Sequence, residues 1–175
     1  MRALVVFESM FGNTEEVARA VAEGLASQLD VSVCAVGEAP DALPEPPVLV
    51  VVGGPTHAMG MTRARTRADA VRQGAPPATG PATGLREWLA ALDRAPAGTV
   101  GATFDTRVHA PVPGSAARGA ARRLRRLRVR LVAPATTFWV GGTPGPLLDG
   151  ERERARRWGE DLAAAVVGMG AAATR

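Results

Sequence analysis

The sequence predicts an α/β fold built on a parallel sheet. Three observations carry this. Ala3–Phe7 (ALVVF) and Val48–Val52 (VLVVV) are continuous apolar runs, the pattern of strands buried on both faces. Between and after them lie stretches with helical apolar spacing. The two patterns alternate along the chain, which calls for parallel strands joined by crossover helices on both faces of one sheet.

Ala3–Phe7 is the first strand. Over Thr14–Leu29, Val17, Val21, Leu25 and Leu29 recur every four residues, while Glu15, Glu16, Arg19 and Glu23 are polar. This is an amphipathic helix with acidic residues in its first turn, where the helix dipole favours them. Val31–Val36 is a second strand, and residues 37–47 form a Pro-rich connection with a lost or short helix. The third strand, Val48–Val52, stops at Gly53-Gly54-Pro55. Residues 54–82 are irregular apart from a short polar helix over Arg63–Gln73, and GAPPATGPATG at 74–84 is incompatible with regular structure. Thr83 is placed to cap the next helix, where Leu85, Trp88, Leu89 and Leu92 share a face. Thr99–Phe104 is a fourth strand, Ser115–Leu127 an Arg-rich helix and Val129–Ala133 a fifth strand. Thr136–Val140 is extended, 141–150 is loop, and Glu151–Val167 is the last helix, with Trp158 and Leu162 toward the core. There is no internal repeat and no inter-domain linker, so residues 1–175 are expected to form one domain.

Composition narrows the function classes. The chain is 46% hydrophobic and 22% charged, a globular balance. No apolar run approaches the ~20 residues that cross a bilayer, and Ala3–Phe7 is too short for the ~7–15-residue core of a signal peptide; a soluble, cytoplasmic protein is expected. With Cys34 alone there is no internal disulfide and no cysteine zinc site. All 21 basic residues are arginine. The lack of lysine excludes a Walker-type phosphate loop, a Schiff-base enzyme and a receiver domain with its strand-end lysine.

In parallel sheets of this kind ligands sit beyond the carboxyl ends of the strands, which directs attention to loops 8–14, 53–62 and 104–114. The first reads Glu8-Ser9-Met10-Phe11-Gly12-Asn13-Thr14 and opens into a helix. A helix N-terminus presents unpaired N–H groups and partial positive charge, so it binds phosphate without a basic side chain. Ser9, Asn13 and Thr14 add donors and Gly12 permits a tight turn. The same residues also suit a plain strand-to-helix turn capped by Asn13 or Thr14, and the loop alone leaves both readings open.

ESMFGNT after an N-terminal strand resembles the phosphate loop of the flavodoxin family, whose pattern is Ser/Thr-x-Thr-Gly-x-Thr. Ser9, Gly12 and Thr14 match, Asn13 is a common occupant, and Phe11 departs from it. The loop Gly53-Gly54-Pro55-Thr56-His57-Ala58-Met59-Gly60 resembles the one that lies against the flavin ring, with His57 where familiar members carry an aromatic residue. The loop beginning at Phe104-Asp105-Thr106-Arg107 falls where flavodoxins place a second ring-contacting loop, of which Asp105 alone remains. Residues 145–159 resemble the family's approach to its last helix. The resemblance implies a flavodoxin-like three-layer sandwich with a five-stranded parallel sheet in the order 2-1-3-4-5. It also implies non-covalent FMN, with the phosphate on Ser9, Met10, Phe11, Gly12, Asn13 and Thr14. The ring would lie between Pro55, Thr56, His57, Ala58, Met59, Gly60 and Phe104, Asp105, Thr106, Arg107, and the expected role is electron transfer with a redox partner protein or a nicotinamide.

Familiar flavodoxins are acidic, whereas this chain has net charge +4 and places His57, Arg63, Arg107 and His109 near the ring-contacting loops. Positive charge there stabilises an anionic reduced flavin and favours two-electron exchange with a nicotinamide or quinone. The alternative is a flavodoxin-fold binding or regulatory module that has lost the flavin. The run Arg122–Arg130 reads as a solvated helix face, with Leu124 and Leu127 inward and no interleaved aromatic residues, so no nucleic-acid partner is expected. Gly168–Ala173 matches a dinucleotide GxGxxA run but has no strand before it. Cys34 reads as a small core residue, and Trp88, Trp139 and Trp158 as core anchors.

Overall fold

A computed structural model describes residues 1–45, 49–57, 60–76, 83–110 and 113–173. Its elements are β1 (Arg2–Phe7), α1 (Asn13–Leu25), β2 (Asp30–Ala35), a 3₁₀ turn (Val36–Glu38), β3 (Leu49–Pro55), α2 (Ala64–Arg72), α3 (Leu85–Ala91), β4 (Val100–Val108), α4 (Ala116–Arg126), β5 (Arg130–Leu131), β6 (Thr136–Val140) and α5 (Glu151–Ala173). All pairings in the sheet are parallel, in the order β2-β1-β3-β4-β5, with β6 also on β4. The first residue of the sequence-predicted third strand, Val48, lies outside the described residues.

Successive strand residues point to opposite faces, and each face has its own core. Ala3, Val5, Phe7, Leu49, Val51, Ala102 and Phe104 pack with Val17, Val21 and Leu25 of α1 and Leu162 of α5. Leu4, Val6, Val50 and Val52 pack with Leu85, Trp88 and Leu89 of α3 and Ala116, Ala120 and Leu124 of α4. This is the three-layer sandwich expected from the continuous apolar strands. On the first face, Phe104, Phe138 and Trp158 meet edge to face, with centroids 5.9 to 6.2 Å apart.

Several boundaries differ from the sequence reading. β4 runs to Val108 because β6 pairs with it from Phe104 to Val108, so much of the presumed third loop is strand. β5 and β6 are one edge interrupted at 132–135: Arg130 and Leu131 pair with Val100 and Gly101, then pairing resumes at Thr136. Gly84, and not Thr83, is the N-cap of α3; the Glu87 carboxylate accepts the Gly84 N–H at 3.0 Å. The final helix continues to Ala173.

α1 and α5 cross closely at glycines. A methyl on Gly24 would overlap the Arg156 carbonyl, and one on Gly159 the Val21 carbonyl. Because α1 is held on β1 by Val17 and Val21, this crossing fixes where its N-terminus, and with it the first loop, stands.

Candidate functional site

The carboxyl ends of β1, β3 and β4 open on a cleft of about 340 Å³, at the lower end of the usual ligand-site range. Its first wall is the loop into α1. Gly12 is the N-cap of α1 with φ of +91°, and no side chain caps the helix. The helical ladder begins with Glu16 N–H on the Gly12 carbonyl at 2.9 Å. The N–H groups of the preceding turn have no partner within the helix. Nothing lies within 4 Å of where a Cβ on Gly12 would stand. An uncapped turn of N–H donors beside open space is an anion cradle, and it fits a phosphate.

The side chains predicted to bind phosphate are engaged within the protein. Ser9 Oγ accepts the Gly12 N–H at 3.2 Å, which shapes the turn. Asn13 Nδ2 donates to the Pro144 carbonyl at 3.2 Å and lies against Gly145, tying the 141–146 loop to the start of α1. The Thr14 hydroxyl is buried and shares a 2.8 Å hydrogen bond with that of Thr106. Thus the backbone offers the unpaired donors, and the side chains set its shape.

Met10, Phe11, Asn13 and Thr14 line the cleft, as do Pro55, Thr56 and His57, and Thr106 and Arg107. Ser9 borders a separate hollow beside β2, Gly12 is exposed, and Gly60 closes the turn by exchanging backbone hydrogen bonds with His57 at 2.9 and 3.0 Å. Ala58 and Met59 lie outside the described residues. Phe104 and Asp105 are wholly buried and do not border the cleft. Phe104 packs in the core with its ring against Gly53, where a Cβ would overlap it. The Asp105 carboxylate sits at the N-terminus of α4. Its Oδ2 accepts from Thr56 Oγ1 at 2.8 Å, Ser115 Oγ at 2.5 Å and the Ala117 N–H at 3.1 Å, and its Oδ1 from Thr137 Oγ1 at 2.7 Å. This residue joins β3, β4, β6 and α4 directly beneath the cleft.

Sequence reasoning missed the wall supplied by α2. Thr66, Asp69, Ala70 and Gln73 border the cleft because Met10 and Phe11 pack on Ala70 and Ala75, bringing this polar helix over the first loop. Val108, Val140 and Thr143 were also missed, since they arrive through the β4–β6 pairing. The TTFWV run was a usable signal for that strand; α2 was read from the sequence as a short polar helix over Arg63–Gln73, but nothing in that run signals its place over the cleft. Of the four positive candidates, His57 and Arg107 border the cleft, as does Asp69, which is paired with Arg72. Burial lowers the pKa of His57 below its ordinary value, which disfavours the imidazolium. Arg107 lies over the Trp139 ring, 5.1 Å from its centroid, with the His109 ring 4.8 Å from that centroid on the same rim.

A second tie anchors the start of the loop. Glu8 is buried at the end of β1 and accepts from Thr62 Oγ1 at 2.6 Å and the Leu85 N–H at 2.8 Å, with Arg67 Nη1 at 3.8 Å. Burial is the largest influence on its pKa and outweighs these partners, leaving it raised. Burial likewise raises Cys34, the reverse of what a reactive thiolate needs. Among the described residues no cluster of His, Cys, Asp and Glu has metal-binding geometry, and no helix is long and apolar enough to cross a membrane.

A family model for flavodoxin matches residues 5–91. No curated protein matches the sequence. Solved structures with the same fold include a flavodoxin from the domain Archaea, 21% identical over 95% of this chain and 99% of its own, with a TM-score of 0.62. A Streptococcus pneumoniae TIGR4 flavodoxin is 20% identical over 94% of this chain and 99% of its own, at 0.60. The oxidised Flavodoxin 2 of Bacillus cereus is 19% identical over 97% and 99%, at 0.58. The family match begins within β1 and takes in the uncapped turn at Gly12 and the 55–60 turn, and the sheet order around them is that of these structures; the chain belongs to the flavodoxin family.

Proposed function

We propose that the protein binds FMN in this cleft and transfers electrons through it. Family membership implies a flavin, typically FMN. The observation that carries the reading is the uncapped N-terminus of α1 at Gly12, with unpaired N–H donors and open space before it. The N–H groups of residues 13–15 would hold the phosphate. Pro55–His57 and Arg107–Val108 would flank the ring. Bound FMN supplies uptake and release of one or two electrons; the chain holds and orients it and sets the charge around it. Arg107 supports the finer reading, two-electron exchange with a nicotinamide or quinone, because its cation stabilises negative charge on the reduced ring. Asp69, paired with Arg72, borders the same cleft, and burial disfavours a charge on His57.

The cleft's ring-flanking segments offer no aromatic side chain besides His57 among the described residues, which favours a second reading: a binding module without flavin. FMN titration followed by visible absorbance and fluorescence separates the two. Stoichiometric binding is expected, with Gly12→Val weakening it by about 2–3 kcal/mol, on the order of a hundredfold, through the strained left-handed backbone and the filled cradle. Arg128→Ala should leave it unchanged. No binding, or equal behaviour of the two variants, overturns the flavin reading. Bleaching of the bound flavin by a reduced nicotinamide supports the two-electron role; reduction by dithionite alone argues against it.

A further inference from the structure

Between Asp105 and Asp149 the chain carries eight arginines and no acidic residue, leaving 13 arginines against 17 acidic residues elsewhere. The positive excess of the molecule is therefore confined to one segment, and the structure lays six of its arginines along one face. Ala116, Ala117, Ala120, Ala121 and Leu124 of α4 turn into the sheet. Arg118, Arg122, Arg125 and Arg126 are exposed, Arg123 is half-buried, and exposed Arg128 prolongs the row, whereas Arg130 turns to the other face, toward Met169 of α5. Among the described residues none of the six has an acidic partner. Elsewhere Arg19 pairs with Glu15, Arg67 with Glu87, Arg152 with Glu23 and Arg156 with Glu153.

This arrangement works against the helix that carries it. Arg118 and Arg122, and Arg122 and Arg126, are like charges four residues apart, which weaken a helix. The dipole at the C-terminus of α4 favours Arg123, Arg125 and Arg126 but does not reach Arg118. Arg128 adds a second cost. The bonds Arg128 N–H to Arg125 carbonyl, 3.1 Å, and Val129 N–H to Leu124 carbonyl, 3.0 Å, form a Schellman end. Its left-handed position normally takes glycine, and here an arginine adopts φ of +67°. Preference for arginine over lysine across the chain explains the residue type but not the missing acids.

The face also leads to the cleft. α4 begins where the Ala116 N–H meets Thr56 Oγ1 at 2.8 Å, and Thr56 borders the cleft together with Arg107. We propose that the α4 face, from Arg118 to Arg128, docks an acidic electron-transfer protein and presents it to the cleft rim; the electron-transfer part rests on the flavin reading above. Among the described residues the exposed large apolar ones are Met1, Val71, Val108, Leu148 and Val167, none of them aromatic, and no aromatic residue lies among the arginines of α4 to stack bases. α4 is about 16 Å long. A nucleic acid, being a long polyanion, would run past it onto the net-negative remainder of the molecule, whereas a folded partner with a compact acidic patch would not.

Poly-L-glutamate is the probe, measured by fluorescence anisotropy at physiological salt, where exposed charges beyond ~8 Å are screened. Arg122→Gln/Arg125→Gln/Arg126→Gln should weaken binding about tenfold, and the charge-matched Arg63→Gln/Arg65→Gln/Arg94→Gln by less than about twofold. No binding, or equal losses in the two triple variants, overturns the proposal. Duplex DNA displacing the polypeptide at equal charge concentration also overturns it, in favour of a nucleic-acid surface. Circular dichroism verifies that both variants fold. FMN titration of the same samples reports on the flavin reading separately, since none of the six positions borders the cleft.

Discussion

Gly12, His57, Asp105 and Arg128 each hold a conformation or protonation state that their neighbours impose. Arg128 occupies a left-handed position at the end of α4. Arg128→Gly should therefore stabilise the protein by about 1 kcal/mol, read by urea denaturation. Asp105 accepts four hydrogen bonds with its carboxylate wholly buried. Asp105→Asn turns an N–H₂ toward donors that need an acceptor and should cost about 3 kcal/mol in the same assay. His57 is depressed by burial. Its stabilising contribution is present above the unfolded value near 6.5 and is lost as pH falls through the lower folded value. Ring resonances of His57 in a proton NMR titration should show a midpoint below that of an unfolded peptide; a midpoint at or above it contradicts the burial seen here. Asp105 illustrates how far residue type alone reads a site. An acid after a strand was legible as special, but its role was not. Four donors converge on it from β3, α4 and β6, elements as far as 49 residues away in sequence.

At the scale of elements, the cleft is held by two ties. One is the crossing of α1 and α5 at Gly24 and Gly159. A methyl at Gly24 meets backbone rather than a movable side chain, so Gly24→Ala should destabilise by about 2–3 kcal/mol and loosen the first loop. The other is buried Glu8, which joins β1 to Thr62 before α2 and to the N–H of Leu85 in α3. Its pKa is raised by burial. The stability it contributes is full below the unfolded value and is lost as pH rises through the higher folded value. The unmodified protein should therefore lose Tm as pH rises above about 4.5, and Glu8→Gln should flatten that decline. Strands and the main helices were legible because continuous apolar runs and four-residue spacing reflect burial directly. The extension of β4 to Val108 was not, since Asp105, Thr106 and Arg107 are polar and are held in strand by pairing with β6. The position of α2 over the first loop was equally hidden, because it depends on Met10 and Phe11 finding Ala70 and Ala75.

Over the whole molecule, the helix that carries the positive excess starts at the cleft, where the Ala116 N–H of α4 meets Thr56 of the lining. Ligand binding to the folded state alone stabilises it by mass action. FMN at a hundredfold excess over its Kd should contribute about 2.7 kcal/mol and raise Tm by roughly 5–10 °C, while riboflavin, lacking the phosphate, should raise it less. Sequence alone determined the fold class, the order of strands and helices apart from the sixth strand β6, and the loop that meets the start of α1, because hydrophobic period, glycine and strand-to-helix punctuation are local properties of the chain. The tertiary structure alone decided that Phe104 and Asp105 turn inward, that α2 walls the cleft and brings Asp69 to its lining, and that burial lowers the pKa of His57. Those outcomes depend on which distant residues surround a side chain, and burial and charge at a site are sums over such neighbours that no local pattern contains.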